Sequence, residues 1–543
     1  RVPKFLLEKY IKEGRIIVGP WYIQNDFYLT DGEATVRNLL VGTKMANEFG
    51  GCGTTGYIPD QFGNISQLPQ IYNQFGIKTC LVGRGYSFYH INDDDELERI
   101  MTSPEFYWRG KDGSEVFTVR FTTWYNNAQR FSEDVSKNLK LIDHIEAMYQ
   151  GTDRIPYYLL MNGVDHLEAQ ENLLEVLPPT NAALEKGVIK QCTMQEFTDK
   201  AENYIKEAKE TICTQLKCKP KEIIFTSGGT ESDNLAIIGG VEANKRMGNH
   251  IITTAVEHAA VAQPFAYLKE QGYEVTILPV DHQGVVKLDA LEAALRPDTI
   301  LVSVMYVNNE VGAVMPVEEI GKLVHEKSPK ALFHVDAIQA FGKYRIYPKK
   351  LGIDLLSVSS HKIHGPKGVG FLYINEKVRV QPQILGGGQQ NGMRSGTDNV
   401  PGIAGLGVAA DMVYTDFDKK IQHLYAMKER MAEGLSKLGD ITVNGMPLME
   451  GAPHIMSVTF HGVRSEVLLH TLEEFGVYIS AGSACSSHKR KPSATLTAMG
   501  LSRADVESTV RISFCEENTF EEVDYCLEAL GKTIPMLRRY ARR

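Results

Sequence analysis

Residues 331–339 read ALFHVDAIQ and residues 355–368 read LLSVSSHKIHGPKG. The first is an apolar run with Asp336 in its middle, and the second an apolar run that ends in Ser359, Ser360, His361 and Lys362 before a Gly-Pro-Lys-Gly turn. Both runs have the length and β-branched content of buried strands. A carboxylate inside such a strand is costly unless it meets a cation. Outward from this pair, EIIFTS (222–227), HIITTAV (250–256), EVTILPV (274–280) and ILVSVMYV (300–307) repeat the pattern, with amphipathic helices such as LDALEAALR (288–296) and VEEIGKLVHEK (317–327) between them. Continuous apolar strands alternating with helices predict a doubly wound parallel α/β sheet, whose ligands sit beyond the carboxyl ends of the strands.

Four features fall at those strand ends. Gly228, Gly229 and Thr230 lie between a strand and a helix, where free backbone N–H groups and a hydroxyl make an anion site. Such a turn is by itself more often only tight. Asp336 would pair with a protonated pyridine nitrogen. Lys362, just outside the core, would have a partly desolvated ammonium suited to covalent attachment, although any single lysine is more often a snorkelling surface residue. His258, in Val256-Glu257-His258, ends a strand and could stack on a planar ring, and it counts only in company with the others.

Eight stretches in order, TSGGTESDNLAI, VEHAAV, YVNNEVG, HVDAIQAFGK, SSHKIHGPKGVG, GGGQQNGMRSGT, SAGSACSS and VRISF, resemble the pyridoxal-phosphate-dependent cysteine desulfurases of the class-V aminotransferase family. The resemblance covers about residues 207–543 and implies a type I pyridoxal-phosphate transferase fold with a smaller C-terminal α/β domain. It implies that Lys362 holds the coenzyme covalently, that Asp336 pairs with the pyridinium nitrogen and that His258 stacks on the ring. Gly229, Thr230, Gln339, Ser359 and His361 would hold the phosphate and phenolic oxygen, and Thr397 the phosphate of the other subunit of a homodimer. Asn309 and Arg511 would position the substrate, L-cysteine. Cys485 lies among small residues and before the basic stretch His488-Lys489-Arg490-Lys491, where positive charge favours thiolate. In the resemblance it takes sulfur from cysteine as a persulfide, leaves alanine, and passes the sulfur to an acceptor protein such as an iron-sulfur scaffold. The family's front segment is absent, which weakens the expectation of normal subunit packing.

The first part reads differently. All three tryptophans (Trp21, Trp108, Trp124) lie there, apolar runs at Arg15–Trp21, Gly56–Pro59 and Tyr157–Met161 are expected as strands, and Leu6–Lys12 and Asn38–Phe49 as helices. Asp60 and Asp165 follow apolar runs, and two such carboxylates converging on a sugar would suit retaining glycoside hydrolysis. Asp after a strand is nonetheless a common turn residue. The stretches KEGRIIVGPWYIQNDFYLTDGEATVRNLL, GYIPDQFGNISQLPQI and LLMNGVDHLEAQENL resemble the family 38 α-mannosidases. That resemblance implies a truncated (β/α) barrel fragment in which Asp60 is nucleophile and zinc ligand and Asp165 the acid/base. The family's early His-x-Asp ligand pair does not appear, so zinc is expected only in a complete relative.

The expected organisation is a mannosidase-like fragment over residues 1–205, a large coenzyme domain over 206–440 and a small domain with the Cys485 loop over 441–543. The seam falls within a helical pattern (FTDKAENYIKEAKETICTQL) instead of a linker. The chain has 58 basic and 67 acidic side chains and a net charge of -9, which argues against nucleic acid as a partner. Eight scattered cysteines without a CxxC pair suit reduced thiols in a cytoplasm, and no run is long and apolar enough to span a membrane. The alternatives to desulfuration are α-mannoside hydrolysis and an inactive fusion, since the N-terminus also reads as cut.

Overall fold

The computed structural model describes residues 3–83, 89–91, 97–99, 105–121, 125–149, 157–163, 168–386, 389–396, 398–481 and 492–541. Two compact units divide the chain: residues 1–208 with 384–405, and residues 209–383 with 406–543. The helix Met194–Leu216 runs across the first division. Residues 384–405 group with the first unit and not with their neighbours in sequence.

The second unit is built on a seven-stranded sheet. Its order is Ile223–Thr226, Gly370–Ile374, Leu355–Ser359, Leu332–Asp336, Thr299–Met305, His250–Thr254, Glu274–Leu278. All pairings from Leu355–Ser359 to Glu274–Leu278 are parallel, while Gly370–Ile374 runs antiparallel to both its neighbours. Every strand of this sheet except Glu274–Leu278 is buried along its whole length. Burial on both faces is why they read as unbroken apolar runs without alternation.

Each expected strand of this sheet forms, and the turns that follow are closed by their own residues. After Leu332–Asp336, the Asp336 carboxylate accepts from Ile338 N–H (2.9 Å). After His250–Thr254, His258 caps the helix Ala259–Glu270 by accepting from Ala260 N–H at Nδ1 (3.1 Å). A side-chain acceptor at that position satisfies one of the donors a helix start leaves orphaned. The smaller part of the unit is an antiparallel sheet of Ile441–Asn444, Ile455–Phe460 and Thr509–Ser513. Helices Phe417–Ser436 and Phe520–Ala541 pack on it through Leu424, Met427, Val458, Val510 and Leu530, all of them fully buried.

The first unit holds a four-stranded open sheet among its described residues, in the order Thr55–Ile58, Thr79–Val82, Glu115–Arg120, Glu105–Arg109. The first three are parallel and the last is antiparallel. The described strands do not close a barrel. Of the expected strands Gly56–Pro59 forms, but Arg15–Trp21 and Tyr157–Met161 do not. Gly19 and Pro20 interrupt any ladder through the former, since proline offers no N–H. The same stretch lies against the helix Gly32–Phe49 so closely that a Cβ at Gly42 would collide with Pro20 O and Tyr22 N.

Candidate active site

The site of the second unit starts from two adjacent strand ends. Ser359 closes one, and the turn Ser360–Ile363 buries Ser360 and Ile363 while carrying His361 and Lys362 outward. Lys362 is exposed. Ser359 Oγ and His361 Nδ1 are hydrogen-bonded at 2.8 Å.

Gly228 and Gly229 face the same place. Gly228 has φ 147°, in the region that favours glycine, and a Cβ at Gly229 would collide with Ile338 Cδ1 and press on Ser359 Cβ at 3.4 Å. The turn after Ile223–Thr226 therefore meets the turns after Leu332–Asp336 and Leu355–Ser359 without a side chain of its own between them. Thr230 is exposed beside it.

The charge of Lys362 ties the remaining groups together. Burial raises the Asp336 carboxyl from 3.8 to about 6, against the opposing pull of the Ile338 N–H and the nearby Lys362 charge. Burial, and then Lys362, lowers the pKa of His258. His361 is lowered by burial and by Lys362 and Lys367. His454 is lowered to about 3, first by burial and then by Lys343, Lys428, Arg511 and Lys362. His258 and His454 are thus neutral imidazoles at pH 7. His454 Nε2–H donates to Gln339 Oε1 (3.2 Å), which places Gln339 in the same cluster. Arg511 Nη1 donates to the Asn309 carbonyl (2.7 Å), and its backbone pairs with Ser480 in both directions. Cys485, Thr397 and Asp165 lie outside the described residues.

Several polar groups behind Asp336 have no counterpart in the sequence expectations. His334 is wholly buried between Ser303 Oγ (2.8 Å from Nδ1) and Ser357 Oγ (2.9 Å from Nε2), with Asp233 Oδ1 at 3.6 Å. Burial lowers His334 to about 3 and raises Asp233 well above the carboxylate range, helped by the negative charge of Asp336. Their contact is therefore between neutral groups and is no ion pair. Glu257 is pushed up to about 8 by burial, although its carboxyl accepts from Thr254 Oγ1 (2.7 Å) and Met305 N–H (3.0 Å). The sequence holds one signal for this cluster: His334 and Asp336 are two apart on one strand and so share a sheet face.

In the first unit Asp60 is half-buried, with its N–H donating to Gln61 Oε1 (3.3 Å). No group of three or more His, Cys, Asp or Glu side chains is placed to hold a metal among the described residues.

Residues 182–526 match the family model "Aminotransferase class-V". The chain belongs to this family. Residues 4–220 match "Glycosyl hydrolases family 38 N-terminal domain", so the two matches share residues 182–220. Among curated relatives of the class-V part, "Cysteine desulfurase IscS" of Methanosarcina thermophila is 42% identical over 346 residues, 64% of this chain and 85% of that protein. The protein of the same name from Vibrio vulnificus is 42% identical over 62% of this chain and 83% of its own. Among solved structures, a "NIFS-LIKE PROTEIN" aligns at TM-score 0.59 with 38% identity, covering 64% of this chain and 91% of that one. DndA from Streptomyces lividans aligns at TM-score 0.52 with 34% identity, over 60% and 91%. The class-V fold is thus carried by the second unit's sheet and its small C-terminal sheet. Among the described residues no helix is long and apolar enough to cross a membrane.

Proposed function

We propose that this chain is a pyridoxal-phosphate-dependent cysteine desulfurase. The observation that carries the reading is the gathering of Asp336, His258, His361 and the Gln339–His454 pair within reach of one lysine charge, that of Lys362. The named relatives, at about two-fifths identity, favour this chemistry over other class-V reactions.

The residues fit the coenzyme. A buried carboxylate with a raised pKa needs a cation, and a pyridinium nitrogen against Asp336 answers that need. The glycine-lined meeting of three turns around Gly229, with the hydroxyls of Thr230 and Ser359 and the ring of His361, suits a phosphate. His258 uses Nδ1 as a cap acceptor, so its remaining ring nitrogen and its face are available to a planar ring. When bound through Lys362, the coenzyme supplies an electron sink for bond changes at the α- and β-carbons of an amino acid.

The chain's own residues supply the rest. Arg511 and Asn309 orient the carboxylate of L-cysteine. The Cys485 thiolate attacks the γ-sulfur, so a sulfur–sulfur bond forms as the carbon–sulfur bond breaks. The carbon gains a proton and leaves as alanine, with the sulfur held as a persulfide for an acceptor protein such as an iron-sulfur scaffold. Thr397 reaches the phosphate of the second subunit of a homodimer. In this reading residues 206–440, apart from 384–405, bind the coenzyme, residues 441–543 bear the thiol, and residues 1–205 are a mannosidase-like part without hydrolytic activity, in a cytoplasmic enzyme.

Borohydride reduction of the coenzyme-loaded chain tests the assignment. The reduced label is expected on the peptide containing Lys362, with the visible absorbance lost in Lys362→Ala. Recovery of the label on another lysine refutes it.

A further inference from the structure

Two cysteines unused by this chemistry sit at the end of the helix Met194–Leu216. Lys217 takes the left-handed conformation (φ 54°), and Cys218 N–H donates to the Cys213 carbonyl at 3.1 Å. That bond closes the helix in the manner of a Schellman cap and folds residue 218 back over the last turn. The two sulfurs are held 3.4 Å apart, with the Cys218 S–H pointed at Cys213 Sγ.

The surroundings make the two thiols unequal. Hydrogen bonding from Cys218 lowers the Cys213 thiol against the opposing effect of its burial, and the charge of Lys209, one turn earlier, adds to the lowering. The same hydrogen bond, burial and Glu222 keep the proton on Cys218. Cys213 is buried with 7% of its surface exposed, and Cys218 is half-buried, so a peroxide reaches the pair from the side of Cys218 or during fraying of the helix end. By contrast the Cys52, Cys80 and Cys526 thiols are all pushed up by burial.

We propose that Cys213 and Cys218 form a peroxide-reactive dithiol that closes to an intramolecular disulfide across the helix cap. The Cys213 thiolate attacks a peroxide oxygen; the O–O bond breaks, an S–O bond forms, and hydroxide leaves and is protonated to water. Cys218 sulfur then attacks Cys213 sulfur, an S–S bond replaces the S–O bond, and the hydroxyl leaves as water with the Cys218 proton. The two thiols lose two electrons and the peroxide gains them. The bridge pins the last turn of the helix that crosses from one unit of the chain to the other.

The test uses the full chain, reduced, freed of reductant, treated with hydrogen peroxide, alkylated and digested with trypsin. Cleavage after Lys209, Lys217 and Lys221 leaves the cysteines on peptides 210–217 and 218–221. A linked pair that separates on reduction is expected, with at least a several-fold loss of both alkylated peptides. In Cys218→Ser the oxidised Cys213 has no resolving thiol and is captured as a sulfenic acid by a 1,3-dione. In Cys213→Ser, Cys218 stays fully alkylated. Full alkylation of both thiols at peroxide that oxidises the exposed Cys192, a link from Cys213 to another cysteine, or no dione adduct in Cys218→Ser overturns the proposal.

Discussion

Replacing Asp336 by asparagine in the coenzyme-free chain should stabilise the second unit while weakening its hold on the coenzyme. Burial moves the Asp336 carboxyl from 3.8 to about 6. At 1.36 kcal/mol per pKa unit this is about 3 kcal/mol. The folded value lies above the unfolded one, so between the two the folded state binds the extra proton and stability falls as pH rises. The cost is absent below about pH 4, accumulates through about pH 6 and stays constant above it. The amide of the variant carries no charge to bury, and burial of Asp233 behind it favours that carboxyl's protonated form. The variant should match the parent near pH 4 and exceed it by up to about 3 kcal/mol at about pH 7–8. Urea unfolding can isolate the effect because Trp21, Trp108 and Trp124 all lie in the first unit. A circular-dichroism transition without a change in tryptophan emission reports the second unit, and its midpoint gives the difference. Coenzyme titration should show weaker binding to the same variant. A difference in midpoint that does not depend on pH, or a variant less stable than the parent at about pH 8, would refute the reasoning.

Cys485→Ser should reduce sulfide release from L-cysteine to background while leaving the coenzyme absorbance intact, since the thiol acts only after substrate is bound. Turnover equal to the parent's would assign the sulfur to a different acceptor. Hydrolysis of an aryl α-mannoside should be undetectable, with or without added zinc, because the described residues hold no group of three or more side chains placed for a metal; activity that disappears in Asp60→Ala would give the first unit a glycosidase role.

The apolar runs that became Ile223–Thr226, His250–Thr254, Thr299–Met305, Leu332–Asp336 and Leu355–Ser359 were legible because each is a local signal. Strand length, β-branched content and turn residues sit within one short window, and burial on both faces removes the ambiguity of alternation. The ordered motifs likewise mark Asp336, His258, Lys362 and the glycine turn without reference to any tertiary contact. Arg15–Trp21 carries the same local signal yet makes no strand, because pairing depends on a neighbour and on the N–H groups that Gly19 and Pro20 leave available. Only tertiary packing put Gly370–Ile374 antiparallel between two strands far apart in sequence. It also decided that Lys362 is exposed, that residues 384–405 group with the first unit, and that Cys213 and Cys218 meet sulfur to sulfur. The protonation of Asp233, Glu257 and His334 belongs to the same class, because burial is a sum over distant side chains. Sequence by itself determined which residues form the elements and which chemistry they can offer. Structure decided the charge and exposure of those residues, since both depend on what the rest of the chain packs around them.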